Sequence, residues 1–169
     1  HGRVLAGDVY ADRPFPHCNL SAMDGYACRK QDLGKPLTIV ETLPAGKRPE
    51  KSIGPGQCSQ IMTGAPIPDG ADSVIMVEQT ERTGDVIHVR GEISPEAHIR
   101  YRGEEVEKGQ KVLAGGIRIT PVEIAILASI GCDPVAVSSQ PHVGVITTGN
   151  ELVEPSVKPE AGKIRDSNS

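Results

Sequence analysis

The side chains able to do chemistry lie in five short polar segments, each containing or following a glycine or a turn. In the first, Asn19-Leu20-Ser21-Ala22-Met23-Asp24-Gly25-Tyr26-Ala27, the carboxylate of Asp24 precedes a glycine that frees the backbone to bend beside it. The second runs Ile61-Met62-Thr63-Gly64-Ala65-Pro66, continues through Pro68-Asp69-Gly70-Ala71-Asp72 and ends in Val77-Glu78. Thr63 offers an oxyanion a hydroxyl and the N–H groups that follow it, and Glu78 falls where an apolar run ends. The third, Arg100-Tyr101-Arg102-Gly103-Glu104-Glu105, sets two arginines and two carboxylates around a glycine, a mixture suited to an anion and a divalent cation. In the fourth, Thr147-Thr148-Gly149-Asn150-Glu151-Leu152, hydroxyls and amides can line a phosphate while the carboxylate holds Mg²⁺ through water. The fifth is Arg165-Asp166-Ser167-Asn168, with the same blend. Taken singly, four of them read as readily as ordinary turns or loops, and the third reads more readily as a solvated charged face.

Several chemistries are disfavoured. No GxxxxGK[ST] stretch is present, so a Walker-type nucleotide site has no support. His1, His17, His88, His98 and His142 lack zinc-ligand spacing, and Cys18, Cys28, Cys58 and Cys132 form no C-x-x-C pair. The thiols read as reduced and without a metal role, as in a cytoplasmic protein. The stretch from Gly103 to Leu113 has the look of a lipoyl or biotinyl carrier hairpin, but no modifiable lysine stands on a tight turn beside Met or Ala. Lys108-Gly109 therefore reads as a structural turn. The net charge is -4, with 22 acidic and 18 basic residues interspersed. Without a basic stripe, nucleic acid is not an expected partner, and no apolar run is long enough for a membrane span.

These segments need elements to hold them. Hydrophobic residues make up 37% and aromatic residues 2%, so a core must be built from Val, Ile, Leu and Ala. The 19 glycines and 14 prolines are dispersed, which predicts many short strands and turns. Strands are expected near 24–29, 37–43, 57–63 and 72–78. A hairpin is expected over Glu81 to Arg90 with Thr83-Gly84-Asp85 as its turn, and a strand pair flanking Lys108-Gly109 within 104–113. One helix is strongly signalled over 121–130: Thr120 as N-cap, Pro121 at N1, Glu123 closing a capping box, and Gly131 as the stop. Val143-Gly144-Val145-Ile146-Thr147 reads as a strand buried on both faces that delivers the fourth segment, as α/β domains do. The expected class is thus mainly β with some α (α+β), with residues 1–140 a β-rich unit and 141–169 the opening strand and loop of an α/β domain. The chain begins without Met and closes on polar turn residues, as expected of a piece of something longer.

In order, SAMDGYA (21–27), IMTGAPIPDGADSVIMVE (61–78), RGEEVEKGQ (102–110), TPVEIAILASIG (120–131), TTGNEL (147–152) and GKIRDSNS (162–169) resemble the MoeA family, which includes the E domain of gephyrin. The likeness runs over essentially the whole chain. It implies a four-domain protein, of which this chain covers two β-rich N-terminal domains and the start of the α/β pterin-binding domain. It implies a homodimer with an active cleft shared between subunits. The implied reaction is molybdopterin molybdenumtransferase: adenylylated molybdopterin and molybdate as substrates, Mg²⁺ as cofactor, and AMP released as molybdenum reaches the dithiolene sulfurs. By motif position, Asp24, Thr63 and Glu151 are the implied catalytic residues. Thr147, Thr148, Gly149, Asp166, Ser167, Asn168 and Arg102 are implied in substrate binding, and Glu105 and Glu151 in holding Mg²⁺. Glu105 stands where the family usually has Asp, which changes the reach of that carboxylate. The alternative expectation is a non-catalytic dimeric scaffold of the gephyrin E type.

Overall fold

The computed structural model describes residues 1–91 and 98–168; Ser169, the last residue of the GKIRDSNS stretch, lies outside them. The chain divides into two units, His1–Val137 and Ser138–Ser169. In the first, the strands are β1 (Val9–Tyr10), β2 (Leu20–Ser21), β3 (Gly25–Cys28), β4 (Leu37–Leu43), β5 (Gln57–Ile61), β6 (Ser73–Met76), β7 (Thr80–Thr83), β8 (Val86–Val89), β9 (Ile99–Arg100) and β10 (Lys111–Leu113). Its helix is α1 (Pro121–Ser129). The second unit holds β11 (Leu152–Val153) and β12 (Ile164–Arg165).

The centre of the first unit is a six-stranded sheet in the order β6-β3-β5-β4-β8-β7. Side chains alternate across a strand, so one sheet can serve two cores. Tyr26, Cys28, Leu37, Cys58, Ile75 and Ile87 fill one cluster, and Ala27, Leu43, Ile61, Ala65 and Val74 the other. Leu37 and Leu43 share the same parity on β4 yet serve different clusters. The reason is a register shift between Ile39 and Glu41, where Val40 is the extra residue and the face turns over. Gly25 is required where it stands: a Cβ there would lie 1.9 Å from the Ile75 carbonyl oxygen on β6.

The sheet curls. The Arg82 guanidinium on β7 reaches the Gln60 side chain on β5 at 3.1 Å. The two strands stand three places apart, about 14 Å in a flat sheet. The sequence accounts for the curl, because β6 ends at Met76 and β7 begins at Thr80, joined by a 3-10 turn at Val77–Gln79 that ties the two edges together at one end. The hairpin expected over Glu81 to Arg90 is present, with Thr83 opposite Val86 across the two-residue turn Gly84-Asp85.

The strand pair expected within 104–113 is replaced by a different pairing. Lys108-Gly109 does turn, with Gln110 N–H donating to Glu107 O at 3.1 Å. However, β10 pairs with β1, and Val106 bridges to Phe15. The turn is local, whereas the partners are supplied by a remote part of the chain. Helix α1 forms as its capping box predicts: the Thr120 hydroxyl accepts from Val122 N–H, and the Glu123 carboxylate takes the Thr120 amide at 2.9 Å. Gly131, at φ 72°, stands just past the Ile130 C-cap. Leu127 from α1 joins Leu5, Leu113 and Ile119 in a third cluster, while Val122 and Ile124 stay exposed.

The second unit departs further from expectation. Val143–Thr147 does not form a buried strand: it pairs with no strand among the described residues, and Val143, Val145 and Ile146 are 80%, 63% and 87% exposed. A strand buried on both faces needs helices over a parallel sheet, and the described residues of this unit hold only the two-residue parallel ladder β11–β12. Among the described residues, no helix is long and apolar enough to cross a membrane.

Candidate active site

Three of the five segments meet in the first unit. Leu20 and Ser21 pair with Arg100 and Ile99 across β2 and β9. Ser21 N–H donates to Ala65 O at 2.9 Å, Gly64 N–H returns a bond to Ser21 O at 2.9 Å, and Ile67 N–H donates to Asn19 O at 3.0 Å. The Asn19 side chain takes the Arg102 amide at 2.9 Å. Within the first segment, the Ser21 hydroxyl donates to Met23 O at 2.6 Å and closes a local turn. Val77 N–H donates to Asp24 O at 3.1 Å. The loop carrying Asp24 is thus stitched to both ends of the second segment.

The stitching puts Asp24 against Thr63. One carboxylate oxygen, Oδ1, accepts both the Thr63 N–H at 2.7 Å and the Thr63 hydroxyl at 2.8 Å. The two donors, the amide first and the hydroxyl second, hold the Asp24 carboxyl below its ordinary value of 3.8. Asp24 is exposed and ionised at neutral pH, and Oδ2 has no partner among the described residues. A cleft of about 150 Å³ opens there, lined by Asp24, Gly25, Gln60, Ile61, Met62 and Val77. Asp24, Tyr26, Gln60 and Met62 share one parity across the β3–β5 ladder, so the cleft continues the face that buries the first core cluster.

Gln60 was not among the residues that sequence reasoning singled out. Its place two residues before Met62, on the same strand face, is the available signal. Glu78 lies just past the end of β6, in the 3-10 turn, and is exposed. Glu105 is ion-paired with Arg100, which also lies 3.6 Å from Glu104. No hydrogen bond joins Glu105 to Asp24 or Thr63 among the described residues, and Arg102 is exposed.

The fourth and fifth segments meet in the second unit. The Thr147 hydroxyl donates to an Asp166 carboxylate oxygen, and Asn168 N–H donates to the other at 2.9 Å. Ile164 N–H donates to Glu151 O at 2.8 Å, and Lys163 holds the Asn150 carbonyl. A Cβ on Gly149 would lie 2.6 Å from Glu151 Oε1, so a glycine is what lets that carboxylate fold over the loop. Thr148, Ser167 and Asn168 are exposed beside these bonds.

Among the described residues, no group of three or more His, Cys, Asp or Glu side chains could hold a metal ion alone. Mg²⁺ keeps several waters and takes one or two carboxylates plus substrate phosphates, so a single open carboxylate is enough to contribute to its site. The open oxygen of Asp24 suits such a contact through water.

Residues 1–131 match the family described as MoeA N-terminal region (domain I and II). The chain belongs to the MoeA family. It is 38% identical over 175 residues to molybdopterin molybdenumtransferase 2 of Mycobacterium tuberculosis, covering 99% of this chain and 43% of that protein. It is 38% identical over 178 residues to the molybdopterin molybdenumtransferase of Bacillus subtilis, covering 99% and 41%. The crystal structure of the molybdopterin biosynthesis MoeA protein from Pyrococcus horikoshii superposes with a TM-score of 0.86 at 38% identity, covering 99% of this chain and 47% of that one. The β-rich fold is therefore that of the MoeA N-terminal region, and the chain spans less than half the length of these relatives.

Proposed function

We propose that this chain is the N-terminal part of a molybdopterin molybdenumtransferase, which places molybdate on the dithiolene of adenylylated molybdopterin and releases AMP in molybdenum cofactor biosynthesis. The observation that carries the reading is the Asp24–Thr63 clasp, a carboxylate fixed by two donors at the mouth of a cleft. Relatives that bear the transferase name cover the whole stretch holding it.

The chemistry follows from charge. Breaking the phosphoanhydride of the adenylate builds negative charge on phosphoryl oxygens, and bound Mg²⁺ would offset it. Asp24 Oδ2 would accept a hydrogen bond from a water of the Mg²⁺ shell or from the attacking water, and Thr63 keeps that carboxylate from rotating. Glu151 completes the site from a second copy of the chain in a homodimer. Thr147, Thr148, Gly149, Asp166, Ser167 and Asn168 bind the pterin substrate, and Arg102 its anionic end. Glu105, ion-paired with Arg100, would be the lesser of the carboxylates holding Mg²⁺.

The test uses the full-length protein with adenylylated molybdopterin, molybdate and Mg²⁺, and follows AMP release and molybdenum on the pterin. The Asp24→Asn variant is expected to lose roughly a hundredfold or more, in the range seen when a positioned acid–base group is removed. Chelating Mg²⁺ is expected to stop turnover, and the 169-residue chain by itself to have no activity. Undiminished AMP release by Asp24→Asn overturns the reading.

A further inference from the structure

Gln60 lines the same cleft as Asp24, and its amide has a fixed sense. Arg82 Nη1 donates to Gln60 Oε1 at 3.1 Å. Arg82 itself is not free to swing: its Nε donates to Gly84 O at 2.7 Å, and its Nη2 lies 3.6 Å from Asp85 Oδ1. The hairpin turn between β7 and β8 therefore clamps the guanidinium, and the guanidinium takes the oxygen of the Gln60 amide. What Gln60 has left to offer is the pair of Nε2 hydrogens. The same cleft is lined by Asp24, whose Oδ1 is occupied by Thr63 and whose Oδ2 can only accept. The cleft thus pairs an acceptor with a neutral donor of fixed polarity.

From this juxtaposition we infer that Gln60 is an oxyanion-binding residue of the site, donating from Nε2 to a molybdate oxygen while Asp24 accepts from a water beside it, and that Arg82 is the residue that positions it. The inference rests on the transferase reading for the identity of its ligand. A neutral donor suits a place next to a carboxylate. A lysine or arginine there would be neutralised by Asp24, whereas an amide donates without competing for the carboxylate. Arg82 contributes from behind: its positive charge polarises the amide and strengthens the donated bond.

The experiment measures KM and kcat in full-length protein and, separately, inorganic molybdate binding by calorimetry. Gln60→Glu keeps the shape and the contact to Arg82 but replaces the donor with a negative acceptor. It is expected to raise KM for molybdate and weaken molybdate binding by roughly ten- to a hundredfold, as when a hydrogen bond to a charged group is lost. kcat at saturation should change less, and thermal unfolding should match the parent. Arg82→Met is expected to weaken binding roughly three- to tenfold, and to add nothing in the Gln60→Glu background, because a positioning residue acts only through the residue it holds. Gln60→Leu checks that removing the donor, rather than adding charge, is sufficient. Parent-like molybdate binding and KM in both Gln60 variants overturn the inference, as does a parent protein that binds no molybdate. If the parent binds molybdate with loss on Gln60→Glu but turns over no adenylate, the transferase reading fails and the oxyanion site stands.

Discussion

The chain builds the same clip twice, a threonine hydroxyl on an aspartate carboxylate, and supports it in opposite ways. Asp24–Thr63 hangs on β3 and β5, in the middle of a six-stranded sheet with an apolar cluster on each face. Thr147–Asp166 hangs on a ladder of two residue pairs, beside an apolar run open to solvent. A site holds its geometry only as firmly as the elements beneath it. The first clip is therefore set by folding of the sheet, whereas the second gets its order from local turns and a few hydrogen bonds.

Four substitutions can break or sharpen this contrast, taken from the largest effect down. Ile61→Ala, which empties a fully buried position in β5, should cost about 2–5 kcal/mol in denaturant unfolding and release the Asp24 clip with it. Gly25→Ala, which drives a Cβ to 1.9 Å from the Ile75 carbonyl, should cost about 1–3 kcal/mol by the same measurement. If it proved neutral, the sheet would be looser around Asp24 than its register suggests.

The third substitution is electrostatic. Asp24 has its pKa lowered in the folded chain, so the stability it confers is fully present above about pH 4 and disappears as pH falls through the folded-state value. Thr63→Ala should move the Asp24 carboxyl, followed by NMR titration, part of the way back toward 3.8, since the stronger of the two donors, the backbone N–H, remains. The parent's extra loss of stability in acid should shrink accordingly. The smallest effect belongs to Ile146→Ser, at a residue 87% exposed: unfolding should change by no more than about 0.5 kcal/mol.

Local signals were legible in the sequence, and remote ones were not. Thr120, Pro121, Glu123 and Gly131 announce α1 because all of their chemistry falls within one or two turns. The Gly84-Asp85 hairpin is equally local. The face switch at Val40 leaves no trace in composition, since it is set by how β4 meets β5. Lys108-Gly109 reads as a turn and is one, but its flanks are claimed by β1 and Phe15, and no spacing rule points there. Val143–Thr147 has the composition of a buried strand, yet burial depends on layers that composition does not supply. At the site, Asp24 and Thr63 stood out by residue type, but their contact across 39 residues came with the fold. Gln60 passed unnoticed because a strand glutamine becomes informative only once Arg82 is seen to fix its amide.

The curled sheet bears on how the chain behaves at high concentration. An unpaired strand edge invites another molecule to add itself, and β7 meets that risk with Glu81 and Arg82, charged and exposed along its length. Val143-Gly144-Val145-Ile146 has no such guard: it is uncharged and exposed. Self-association of this 169-residue chain should therefore begin at that stretch. A single lysine placed by Ile146→Lys should keep it monodisperse in light scattering, where further charge on β7 would change little.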